Sequence, residues 1–116
     1  MLSIKKTAIS INRGDTAFIT VTVRDANQQE YTLQEGDQLW FAVKKKATDT
    51  DYAIAPKKLQ GNVLTIDHSD TIQLDFGTYV YDIQLINSKG YISTIIQPSD
   101  FNILQSVTSA GDRANT

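Results

Sequence analysis

Between residues 77 and 96 the chain reads GTYVYDIQLINSKGYISTII, and its side chains alternate strictly. Tyr79, Tyr81, Ile83 and Leu85 fall on one side, Val80, Asp82, Gln84 and Ile86 on the other. A period of two is the signature of a strand with two unlike faces. The interruption Asn-Ser-Lys-Gly followed by a second apolar run makes it a hairpin, with Asn87 and Gly90 supplying the turn. In a two-layer β protein the inner face is removed from water by the opposing sheet. Burial of Tyr81, Ile83 and Leu85 is then expected to contribute about 1.5–3 kcal/mol each. Asp82 and Gln84 hold the register, because a slip of one residue would turn them inward.

The rest of the chain repeats this idiom in shorter pieces and has almost no helical period. Strand candidates are SIKKTAISI (residues 3–11), TAFITVTV (16–23), EYTL (30–33), DQLWFAVKK (37–45), YAIAPKKL (52–59), NVLTID (62–67) and DFNIL (100–104). Pro56 cannot donate to a ladder and assigns its segment to a sheet edge. HSDTIQLDF (68–76) has room for a single helical turn. RGDTAFITV and EGDQLWFAV both open on Gly-Asp, which places Ala17, Ile19, Val21 and Leu39, Phe41, Val43 in the same phase. Glycine can take the positive φ of a turn, and aspartate can bond its own backbone. Seven or more short strands, cut by turn signals about every ten residues, predict an all-β chain: an immunoglobulin-like antiparallel β-sandwich over residues 1–105. Residues 106–116 read as a flexible polar tail.

Composition limits function. At 116 residues the chain is one domain, large enough to bury a core without staples. With no cysteine it has neither disulfides nor thiolate chemistry. The N-terminal stretch MLSIKKTAIS has no apolar run of signal-peptide length and no segment approaches a membrane span, so the expectation is a protein made and folded in a cytoplasm, without a membrane partner. A net charge of −2 disfavours general nucleic-acid binding, which depends on neutralising phosphates.

Four groupings of residues are candidates for chemistry. Arg13-Gly14-Asp15 matches a cell-adhesion tripeptide, but the second Gly-Asp before a strand favours a plain turn. His68, Ser69 and Asp70 are adjacent in sequence, whereas the members of a catalytic triad meet across a fold. Asp67, Asp70 and Asp75 lack the alternating ligands and closing Glu of a calcium loop. Asp70-Thr71 suits the cap of a short turn better. Lys44, Lys45, Lys46, Lys57 and Lys58 are expected to gather at one end as a basic patch or as guards of an edge strand. With Trp40 and the tyrosines they form the candidate ligand or docking surface, suited to a carbohydrate or cell wall. No catalytic residue, metal or cofactor is expected, and no enzyme activity.

Taken in order, RGDTAFITVTVRD, YTLQEGDQLWFAVKK, SDTIQLDFGTYVYDIQL and GYISTIIQPSDFNILQSVT make the chain resemble a family of small tail or baseplate proteins of phages and prophages of Gram-positive bacteria. The match runs from about Ile9 to Thr108 and is most specific at Asp70-Thr71, from Gly77 to Leu85, and from Phe101 to Ile103. That resemblance, which includes the N-terminal module of baseplate upper proteins, implies an immunoglobulin-like fold, a place in the virion, and assembly with other tail or baseplate proteins or into a homo-oligomeric ring or array. Open edge strands are the natural means of such assembly. The expected assembly edge comprises Ile4 and Ala8 of the first strand with Phe101 and Ile103 of the last.

Overall fold

The computed structural model describes residues 8–25 and 27–105. These form seven strands and one short helix: β1 (Ile9–Asn12), β2 (Ala17–Thr20), β3 (Gln38–Lys44), β4 (Ile54–Lys58), β5 (Val63–Ile66), α1 (His68–Thr71), β6 (Gly77–Ile86) and β7 (Ile92–Leu104). Five strands make one mixed sheet in the order β1-β7-β6-β3-β4, and β2 pairs antiparallel with β5 in a second, two-stranded sheet. Both sheets contribute to one apolar core, in which Leu64 and Ile66 of β5 join Leu39, Phe41, Val43, Ile83 and Phe101. The rings of Phe41, Tyr81 and Phe101 meet in tilted and edge-on pairs 5.6–6.2 Å apart, the geometry aromatic quadrupoles favour.

The β6–β7 hairpin forms as its alternation requires. Tyr79, Tyr81 and Ile83 are buried. Gly90 takes φ +82, and the Asn87 side chain accepts the amides of Lys89 at 2.9 Å and Tyr91 at 3.0 Å. The two Gly-Asp turns are alike. Gly14 and Gly36 have φ +86 and +88, and Asp15 and Asp37 each donate their amide back to the carbonyl three residues earlier at 3.0 Å. A positive φ at the third residue is what a type II turn asks for. Pro56 lies on β4, an edge of the large sheet, where its missing N–H costs no ladder bond.

Several expectations are corrected. The architecture is not all-antiparallel, because β1 runs parallel to β7, with Ile9 opposite Phe101. Residues 30–33 form no strand; Glu30 makes an isolated bridge with Arg24, and the Tyr31 amide bonds the Val23 carbonyl at 2.7 Å. Residues 100–104 do not stand alone but end the thirteen-residue β7. Pro98 sits where the β6–β7 register shifts, and the shifts let the consecutive residues Ile95 and Ile96 both turn inward. Since β7 is flanked by β1 and β6, Phe101 and Ile103 are interior core residues, not an edge. Ile4 and the expected tail, residues 106–116, lie outside the described residues.

Candidate functional site

The outer face of the large sheet carries a groove of about 230 Å³. Its floor follows from strand register. Trp40 pairs with Gln84, Ala42 with Asp82 and Lys44 with Val80, so these six side chains stand on one face in two adjacent rows. Ala42, the smallest, lies between Trp40 and Lys44 and leaves a trough beside Asp82. Pro56 of β4 and Pro98 of β7 form opposite rims, and Tyr52 closes one end.

Electrostatics set the groove apart from an ordinary sheet surface. Burial raises the Asp82 carboxyl above the usual aspartate range, and the nearby Lys44 charge partly draws it back. Neither the Asp82 nor the Gln84 side chain has a hydrogen-bond partner among the described residues. The Lys44 ammonium stands 4.9 Å over the Tyr52 ring, and Trp40 Nε1 donates to Gln38 Oε1 at 3.1 Å. Both aromatics are therefore held by a neighbour while retaining exposed surface.

The five lysines do not gather into one patch. Lys44 faces the groove, whereas Lys45, one residue on, lies 4.4 Å over the Tyr79 ring and bonds the Thr78 carbonyl at 3.4 Å. Lys46 is exposed in the following loop, and Lys58 pairs with Trp40 on the outer face. Lys57 points the opposite way and spans the two sheets. Its ammonium bonds the Thr65 carbonyl of β5 at 2.8 Å and Asp67 at 3.3 Å, and forms an ion pair with Asp70. Strand alternation separates lysines that are neighbours in sequence.

The other groupings are engaged in fold contacts. The Gly14 amide donates to Thr71 Oγ1 at 2.8 Å, and the Gly14 carbonyl lies 2.7 Å from His68 Nδ1, so α1 clamps the Arg-Gly-Asp turn from both sides. Arg13 lies 4.3 Å over the Phe76 ring. Asp70 accepts the Asp67 amide at 2.8 Å, one half of a capping box, and the cap residue is thus Asp67. Among the described residues no group of three or more His, Cys, Asp or Glu could hold a metal ion, and no helix is long and apolar enough to cross a membrane.

A second, more apolar cleft of about 360 Å³ opens between the sheets where the described chain begins. Ala8 and Ile9 form one lip and Ile19, Val21 and Thr22 the other, with the core residues Leu64, Ile83 and Ile96 at its base. Nearby on β2, Phe18 turns its ring outward and is 73% exposed.

Sequence reasoning singled out Trp40 and Lys44 but saw Asp82 only as a guard of register. The signal that was missed is a carboxylate opposite an alanine, which becomes visible only once β3 is paired with β6. Comparison with protein-family models gave no match, and neither did comparison with curated proteins.

Proposed function

We propose that the chain is a non-enzymatic assembly module of a phage or prophage virion, acting in the tail or baseplate. The sequence resemblance supports that class. Strand order supports its finer fold, an immunoglobulin-like sandwich: β7-β6-β3-β4 in one sheet and β2-β5 in the other fit the G-F-C-C′ and B-E strands of such domains.

The observation that carries an assembly role is the apolar cleft between the sheets at Ala8. A cleft that leads to core side chains calls for an apolar occupant. Residues 1–7, MLSIKKT, carry Leu2 and Ile4 at alternate positions and join the chain at the lip of the cleft. In extended form they outrun the four-residue β2. The occupant we assign is this segment of a neighbouring copy, exchanged between identical subunits, a low-cost route to association. The opposite edge of the large sheet, β4, is blunted by Pro56.

Sedimentation velocity tests the reading. The full chain is expected to associate as concentration rises, and deletion of residues 1–7 to leave a monomer with an unchanged far-UV spectrum. A monomer at every concentration, or undiminished association after the deletion, overturns it.

A further inference from the structure

We propose that the outer-face groove built from Trp40, Tyr52, Asp82 and Gln84 is a binding site for a neutral saccharide. This groove is separate from the cleft between the sheets, with which it shares only Tyr81 among its lining residues. Sugar recognition needs two things at once: aromatic surface for the apolar C–H face of a pyranose, and hydrogen-bonding groups for its hydroxyls. Trp40 and Tyr52 supply the first, and Tyr52 remains 49% exposed. Asp82 and Gln84 supply the second. They project from neighbouring outward positions of β6, and neither side chain has a hydrogen-bond partner among the described residues, although the Lys44 charge lies near Asp82. A partly buried carboxylate without hydrogen-bond donors is costly, and hydroxyl donors from a ligand would relieve that cost.

Charge selects among ligands. The Lys44 ammonium, 4.9 Å from the Tyr52 ring, repels a quaternary ammonium ligand, which carries the same charge. Asp82 disfavours an anion, since a second negative charge would meet a carboxylate already short of solvent. A neutral polyol meets neither objection. Ala42 gives the trough depth, and the prolines at its rims are stiff, so little conformational freedom is lost on binding.

The single tryptophan of the chain is Trp40, so its fluorescence reports directly on the groove. The full chain would be titrated with maltotriose, cellotriose and N,N′,N″-triacetylchitotriose, and in parallel with tetramethylammonium chloride. At least one trisaccharide is expected to change the emission saturably. Tyr52→Ala and Asp82→Ala should each weaken that binding by about tenfold or more. Lys89→Ala, exposed in the hairpin turn and outside the groove, should leave it unchanged, and melting curves establish that every variant is folded. Absence of a saturable change with all three sugars overturns the proposal. So does a response to tetramethylammonium alone, or sugar binding that survives both groove substitutions.

Discussion

Replacing Thr71 by valine tests whether α1 clamps the Arg-Gly-Asp turn or merely lies beside it. Thr71 is fully buried, and its Oγ1 accepts the Gly14 amide at 2.8 Å. Valine keeps nearly the same shape but removes the acceptor, leaving the partly buried Gly14 N–H unpaired. The cost of an unmade buried hydrogen bond is about 1–3 kcal/mol. The added methyl group recovers only part of it, because the site was shaped around a hydroxyl. Gly14 has no easy escape: its φ is +86, and its carbonyl stays 2.7 Å from His68 Nδ1. The urea midpoint of Thr71→Val should therefore fall with an unchanged slope, and the melting temperature should drop by about 4–10 °C. Hydrogen exchange at the Gly14 amide should accelerate more than global destabilisation explains. A loss below about 0.3 kcal/mol, with the Gly14 amide still protected, would refute the clamp.

Ile83→Asp should prevent folding or cost several kcal/mol, because Ile83 is 1% exposed between the sheets, whereas Gln84→Asp on the outer face should cost far less in denaturant melts. Equal losses would place the core on the wrong face. Gly36→Ala should cost at least about 2 kcal/mol, since φ is +88 and a new Cβ would lie 2.7 Å from Ser88 Cβ. Gly61→Ala, with φ +60 and nothing within 4 Å of its new Cβ, should cost only about 1 kcal/mol of backbone strain. Asp82 has its folded pKa raised by burial, so the native state holds its proton more tightly than the unfolded chain does. Its effect on stability is neutral below the unfolded pKa and becomes increasingly unfavourable as pH rises through the window up to the folded value. Asp82→Asn should therefore raise the melting temperature at pH 7 relative to the native chain and lose that advantage toward pH 3; the same difference at both pH values would contradict the burial argument.

Much of the fold can be read from local chemistry. The hairpin alternation, the paired Gly-Asp turns, the Asn87–Gly90 connection and the proline at an edge each depend on one or two residues and their immediate neighbours. Sheet order does not. The parallel pairing of Ile9 with Phe101 joins segments more than ninety positions apart, and nothing in either segment distinguishes an edge strand from an interior one. For that reason Phe101 and Ile103 read as an edge although β1 covers them. The lysines misled for a related reason. Adjacency in sequence suggested a patch, but alternation sends Lys44 to the groove and Lys45 to Tyr79, and the Asp67–Asp70 turn draws Lys57 across to the other sheet. Much of the groove was legible, through Trp40, Lys44 and Tyr52; Asp82 joins them only after β3, β4 and β6 are set side by side.

Exchange of residues 1–7 between copies is most directly tested by cross-linking, and the absence of native cysteine makes the experiment clean. One copy would carry Ile4→Cys and a second, differently tagged copy Ile19→Cys, a residue on the far lip of the cleft. Mixed, refolded together and oxidised at concentrations that favour association, the two should form a disulfide-linked heterodimer. The double variant in a single chain, oxidised at high dilution, serves as the comparison. Efficient cross-linking between differently tagged copies is the predicted result. Cross-linking confined to the double variant, within one chain and without heterodimer, would mean that each subunit fills its own cleft, and would contradict assembly by exchange of this segment.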